Sequence, residues 1–198
     1  GTYKLRLHMS SRAALDALLD PKGSITNSIL IKEGLRANVI LDKLAASTGI
    51  ARSEFSAAAK QRSEIGLLAD AVSIEGYLFP ATYTFSPKAT AVSILKTMIS
   101  RMQEELDKFG VKAADRHRVL TLASIIQKES RQEPDFYKVS RVFLNRIKAG
   151  MHLQSDATVS YGVDGNTVNT TAAERANNNG FNTYLHAGLP IGPISSPG

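Results

Sequence analysis

Cysteine is absent from the 198 residues, which excludes disulfides, thiol catalysis and Cys-ligated zinc or iron–sulfur sites. Long hydrophobic runs are missing too: no apolar stretch approaches the ~18 residues of a membrane-spanning helix, and no signal-type segment opens the chain. Basic residues outnumber acidic ones, for a formal charge of +6, but Lys and Arg are scattered rather than clustered. Such scatter suits a diffuse attraction to anionic polymers, cell-wall glycans or nucleic acid, and argues against a dedicated phosphate-reading arm. His8, His117, His152 and His186 have no i+4 partner and no HExxH context, so no metal site is expected and no cofactor is implied. GxSxG and P-loop patterns are lacking, which removes the usual signatures of serine hydrolysis and nucleotide hydrolysis. No internal repeat is present. The chain opens mid-pattern on Gly1-Thr2-Tyr3 and stops at Ser196-Pro197-Gly198, as a segment of a longer protein would.

What remains is an apolar content of 43%, enough for a real core in one large domain or two small ones. Tyr3, Leu5 and Leu7 alternate with polar neighbours and predict a strand. Ser10 or Ser11 then caps a short helix through Leu19, stopped at Asp20-Pro21 and Gly23. A second strand is expected over Ile25 to Lys32, a turn at Glu33-Gly34, and a helix over Ala37 to Ser47 with Gly49 past its end. Ser53 caps a further short helix bearing Phe55 and Ala58. This succession predicts a compact α+β unit. In Glu75 to Phe85, EGYLFPATYTF, aromatics crowd around Pro80, and the segment reads as an aromatic edge strand in the core; the competing reading is a cleft wall on which sugar rings stack. Thr90 caps the longest helix, with Val92, Leu95, Ile99, Met102 and Leu106 inward and Gly110 as its stop. A helix is expected over Phe136 to Ala149, with Val139, Val142, Phe143 and Ile147 buried. Arg146 falls on that same stripe and calls for Glu129 or Glu75 as partner, or for a route to solvent. After Gly150 the chain should be surface loops around one short strand at Ala157 to Tyr161.

Arg118 to Ser130, RVLTLASIIQKES, carries the chemistry. Leu122, Ile125 and Ile126 fall at i, i+3 and i+4, and the i+7 member of that series is Glu129. The spacing places a carboxylate on the apolar stripe, where burial would raise its pKa toward that of a general acid; the plainer reading is a helix-end Glu in solvent or an ion pair. Amides and acids in the loops, Asn145, Gln154, Asp156 and Asn182, suit a polyhydroxylated substrate. A two-carboxylate glycosidase needs a second acid, for which Asp156 and Glu75 are the candidates. A lytic transglycosylase needs only one, which protonates the glycosidic oxygen and then deprotonates the sugar's own 6-hydroxyl. A lone helix-borne Glu fits the second scheme better.

The blocks EGYLFPATY (75–83), LASIIQKES (122–130), VFLNRIKAGMHLQSDATVSYGV (142–163) and NTYLHAGLPIGPISSPG (182–198) together resemble the endolytic murein transglycosylase family, also called MltG or YceG-like. The resemblance implies a small LysM-like α+β module over residues 1–70, followed over 71–198 by a mixed α/β catalytic domain with a helix-borne catalytic Glu. It implies cleavage of the MurNAc-β-1,4-GlcNAc bond within peptidoglycan strands, leaving 1,6-anhydro-MurNAc ends. Glu129 then corresponds to the catalytic acid/base, and Glu75, Tyr77, Ser130, Asn145, Gln154, Asp156, Asn182 and Tyr184 to substrate-binding residues, with Ser130 orienting Glu129. It further implies a bacterial inner-membrane protein, anchored by a transmembrane helix outside this chain, with its catalytic domain extracytoplasmic. Wall-elongation proteins, penicillin-binding proteins among them, would be partners; nucleic acid would not. Gln127 stands where many relatives carry Glu, Ala157 and Ile191 replace prolines, and family members continue beyond Gly198. A non-catalytic peptidoglycan-binding scaffold is the alternative function.

Overall fold

A computed structural model describes residues 3, 5–20, 27–130, 132–165 and 169–198. Among the described residues helices dominate and the sheet is a single antiparallel pair, so the fold is α+β. Helix α1 (Ser11–Leu19) starts where Ser10 Oγ accepts the Ala13 N–H at 3.2 Å, and none of its residues is buried. Strand β1 (Asn27–Leu30) pairs with β2 (Thr82–Phe85) in the register Ile29 opposite Tyr83. Between them lie α2 (Ala37–Thr48), ended by Gly49 in the left-handed region, and α3 (Arg52–Lys60). Next come α4 (Ala91–Lys108), α5 (Arg116–Glu129), α6 (Glu133–Lys148), α7 (Asp156–Gly162) and the single turn α8 (Ala172–Arg175). Among the described residues no helix is long and apolar enough to cross a membrane.

Among the described residues, two apolar clusters hold the sheet and α2 to α7. The larger gathers Ile31, Ile40, Leu44, Phe55 and Ile65 with Leu78, Leu95, Met98, Ile99 and Leu120. It runs through residue 70 without a break, because β1 pairs with β2 and α3 packs on α4. Residues on both sides of the expected boundary at 70/71 contribute to this cluster. A smaller cluster joins Ile125, Phe143, Leu153 and Ile194. Helix α5 connects the two, with Leu120 in the first and Ile125 in the second. Residues 194–196 are sewn between α5 and the turn at Gly34: Ile194 N–H donates to Ser124 Oγ at 3.0 Å, Ser196 N–H to Leu35 O at 2.9 Å, and Gly34 N–H to Ser196 O at 2.7 Å. Gly76 sits against this tail with φ +80°, and a Cβ there would overlap Pro193.

Several sequence expectations are revised. Among the described residues of 3–8 no strand is found: Tyr3 makes an isolated bridge, and Leu7 is 90% exposed, so the alternation has no core to face. Lys4, and Pro21 to Gly23 beyond α1, lie outside the described residues. Residues 25 and 26 of the expected second strand do as well; in its described part the strand is Asn27–Leu30, and Ile31 and Lys32 fall outside it. The segment over Ala157 to Tyr161 is helix α7, not a strand: five residues cannot separate the two periods, and consecutive Thr158, Val159 and Ser160 are all buried instead of alternating. Val142 is 51% exposed on α6, whose contact with the core is made by Phe143, Val139 and Ile147. The aromatics of residues 75–85 are core: Tyr77, Tyr83 and Phe85 are buried and Phe79 packs against the same cluster.

Candidate active site

Helix α5 ends at Glu129, where Ser130 turns extended at φ −104° and its N–H closes on Ile126 O. The buried face of α5 is Leu120, Thr121, Ser124 and Ile125, rotated from the stripe that the large apolar residues outline. Small hydroxyl residues can take that face because their polar atoms are satisfied within the helix: Thr121 Oγ1 donates to His117 O and Ser124 Oγ to Thr121 O, both at 2.8 Å. As a result Glu129 is exposed, and the burial expected for it is absent. It borders an open groove of about 510 Å³ between the end of α5 and the start of α6, lined also by Ser130, Gln132, Asp135, Lys138 and Val139. A second groove of about 520 Å³, along Leu30 to Glu33 and Pro80–Ala81, holds Glu33 as its one acid. The geometry around Glu129 makes the first groove the better chemical candidate.

Ser155 Oγ donates to Glu129 Oε1 at 2.5 Å. Ser155 is the N-cap of α7, yet its hydroxyl makes no bond to its own helix, forgoing a cap that is ordinarily worth ~1 kcal/mol. Its backbone is gripped from both sides: its N–H donates to Thr183 Oγ1 at 3.0 Å, and its carbonyl accepts from Thr158 Oγ1 at 2.8 Å. The two threonine hydroxyls lie 2.8 Å apart. Upstream, Arg146 donates to Leu153 O at 2.6 Å and to His152 O at 3.4 Å, fixing the loop into α7. These carbonyls replace the carboxylate partner expected for Arg146.

Beside Ser155, Asp156 Oδ1 accepts from Thr170 Oγ1 at 2.5 Å and from the Tyr184 hydroxyl at 2.9 Å. Partial burial opposes the Asp156 charge, but these hydroxyls and nearby Arg175 outweigh it and hold the carboxyl below its ordinary range. Tyr184 moves the other way: burial, its bond to Asp156, and the charges of Asp156 and Glu129 all push its phenol up. Arg175 lies over the Tyr184 ring, 5.7 Å from its centroid. His152 Nδ1 donates to Tyr184 O at 2.6 Å, which fixes the tautomer at that bond. Exposed Gln154 completes the group with a left-handed backbone, φ +53°.

Of the expected residues, Glu129, Gln154, Asp156 and Tyr184 thus come together, and Ser130 adjoins them. Among the described residues the Ser130 hydroxyl is buried without a hydrogen-bond partner, and the side chain that bonds Glu129 is Ser155. Asn145 is exposed on α6, and its side chain makes no hydrogen bond among the described residues. Three candidates lie buried. Asn182 is 0% exposed, with its amide donating to Arg175 O and Asn177 O and accepting from Tyr184 N–H. Tyr77 is buried, with its hydroxyl 2.7 Å from His117 Nδ1. Glu75, 5% exposed, accepts the Ala37 N–H through both oxygens at 2.9 and 3.1 Å and the Tyr161 hydroxyl at 3.3 Å. It caps α2 from a distant part of the chain. Ser155, Thr158 and Thr183 were missed; reading 156–162 as a helix would have marked Ser155 as its N-cap.

The sequence pattern of the YceG-like family matches residues 1–198. The endolytic murein transglycosylase of Bacillus subtilis (strain 168) is 35% identical over 130 residues, which cover 63% of this chain and 36% of that protein. Its counterpart from Streptococcus pneumoniae (serotype 2, strain D39) is 30% identical over 133 residues, 63% of this chain and 24% of that protein. The chain therefore spans about a quarter to a third of the length of these curated relatives. Among solved structures, a YceG-like protein from Listeria monocytogenes superposes with a TM-score of 0.77 at 28% identity, covering 100% of this chain and 71% of that one.

Proposed function

The chain belongs to the YceG-like family, and on that premise we propose that it cuts within peptidoglycan glycan strands as a lytic transglycosylase, with Glu129 as the single acid/base. The observation that carries this reading is the 2.5 Å hydrogen bond from Ser155 Oγ to Glu129 Oε1 at the mouth of an open groove. One carboxylate oxygen is anchored, and Oε2 is left to exchange a proton with substrate. Protonated Glu129 gives its proton to the oxygen between MurNAc and GlcNAc, and the bond from that oxygen to MurNAc C1 breaks. The resulting carboxylate then takes the proton of the MurNAc 6-hydroxyl as O6 bonds to C1. The products are a 1,6-anhydro-MurNAc end and a free GlcNAc 4-hydroxyl, and Glu129 is again protonated; no water enters. Tethering of the 6-hydroxyl supplies the nucleophile at high effective concentration. Asp156, kept ionised with Oδ1 occupied by two hydroxyls, suits a fixed charge that holds Tyr184 better than the second catalytic acid of a hydrolase. Gln154, Tyr184 and the exposed Asn145 would contact sugar.

The same reading includes the glycan-binding, LysM-like character of residues 1–70, anchorage in the bacterial cytoplasmic membrane through residues outside this chain, and contact with wall-elongation proteins such as penicillin-binding proteins. Glu129→Gln keeps the shape of the site and removes the acid, so turnover of glycan strands should fall by roughly 10² to 10⁴ or more with the fold retained. Mass spectrometry of the digest reads the chemistry, since an anhydro end is lighter by one water than a reducing end. Near-wild-type turnover in Glu129→Gln, or reducing ends from the wild type, would sink the assignment; binding of peptidoglycan without any product would make the chain a scaffold.

A further inference from the structure

We infer that Ser155 is the positioning residue of Glu129, and that a closed ring of hydroxyl bonds through Thr158 and Thr183 exists to aim it; this rests on the acid/base role proposed for Glu129. Counting protons settles the direction of the ring. Thr158 Oγ1 uses its one hydrogen on Ser155 O. The 2.8 Å contact between Thr158 and Thr183 must then be a donation from Thr183 Oγ1 to Thr158 Oγ1. Thr183 Oγ1 in turn accepts the Ser155 N–H. Ser155 N–H, Thr183 O–H and Thr158 O–H form a cycle in which each donor has an acceptor and both backbone groups of Ser155 are held.

All three residues are buried, so water does not compete for these bonds and the ring is rigid in a way that a surface serine is not. One hydrogen remains uncommitted within it, on Ser155 Oγ, and it points at Glu129 Oε1. A serine at a helix N-cap ordinarily turns its oxygen back to accept from its own first turn. This one makes no such bond, and a local preference set aside without structural gain is what a functional constraint looks like. Thr183 is held by the strand-like contact Gln154 N–H to Thr183 O, 3.0 Å, and by the neighbouring Asn182 clamp. The loop from Arg175 to Tyr184 and the loop from Arg146 to Ser155 thus converge on a single hydroxyl. Its function is to decide which oxygen of Glu129 faces the glycosidic bond and to hold it through both proton transfers.

The test uses the full chain and glycan strands, with kcat and KM measured separately. Ser155→Ala should lower kcat roughly 10- to 100-fold with KM within about twofold, because misplacing a catalytic group acts on the transition state and leaves sugar binding intact. Ser155→Thr, which keeps the hydroxyl, should restore most of that loss. Thr183→Val breaks the ring without touching Glu129 and should reproduce the kcat defect, whereas Thr183→Ser should not. An undiminished kcat in a folded Ser155→Ala, or a serine variant of Thr183 as impaired as the valine variant, would overturn the inference. If Ser155→Ala fails to fold, the two Thr183 variants decide the matter alone. Failure of the functional reading is seen separately, in the wild type: absence of anhydro product there removes the role of Glu129, and that of Ser155 with it, whereas anhydro product beside an unimpaired Ser155→Ala removes only the latter.

Discussion

Glu129 and Glu75 occupy opposite environments. Glu129 ends a helix in open solvent and receives one serine hydroxyl. Glu75 is enclosed, and burial pushes its carboxyl up to about 7, against the bonds from Ala37 and Tyr161 and the charge of Arg36. Because the native state holds the proton more tightly than the unfolded chain, whose value is near 4.5, the stability linked to Glu75 is complete below about pH 4.5. It is lost as pH rises through about 7. The size of the shift corresponds to about 3 kcal/mol. Thermal melts between pH 4.5 and 7.5 should therefore show a decline in Tm that Glu75→Gln flattens, since the amide keeps an acceptor for Ala37 N–H and cannot ionise. An unchanged slope in that variant would show that other groups govern the titration. Neither environment could be read from neighbours in sequence: the partners of Glu75 lie 38 and 86 residues away, and the exposure of Glu129 follows from the unexpected burial of Thr121 and Ser124 beside Ile125.

Elements were legible in proportion to their length and to the clarity of their ends. Helix α4 has Thr90 at its N-cap and a buried stripe from Ile94 to Leu106, both visible as cap and period. The seven residues of α7 gave no such handle, and calling them a strand hid the N-cap that proves to touch Glu129. The large apolar residues of α5 outline one face, but the face that is buried includes Ser124 because the tail docks there. That docking makes a prediction. Ser124→Ala removes the acceptor of the buried Ile194 N–H, which should cost about 1–3 kcal/mol. The loss should be local: hydrogen exchange at Ile194 and Ser196 should speed up markedly in the variant while amides of α4 keep their protection. Uniform loss of protection across both clusters would mean that the tail is an integral part of one cooperative unit.

For the molecule as a whole, the family resemblance implies two units, a LysM-like module over residues 1–70 and a catalytic domain over 71–198. Packing crosses that division. Strand β1 has its partner in Thr82–Phe85, α3 lies on α4, and the first N–H of α2 is capped by Glu75. A fragment ending at residue 70 would leave Ile31, Ile40, Leu44, Phe55 and Ile65, all essentially inaccessible in the intact chain, without the side of the core formed by Leu78, Leu95 and Met98. Exposing several such side chains, each worth about 1.5–3 kcal/mol when buried, exceeds the whole stability that a domain of this size commands. The fragment 1–70 should accordingly lack a cooperative thermal transition and fixed tertiary structure by near-ultraviolet circular dichroism and amide dispersion in NMR, whereas a fragment extended through Gly110, which restores β2 and α4, should regain both. Cooperative melting of the shorter fragment would return the boundary to residue 70 and make the contacts across it an interface between two independently folding units.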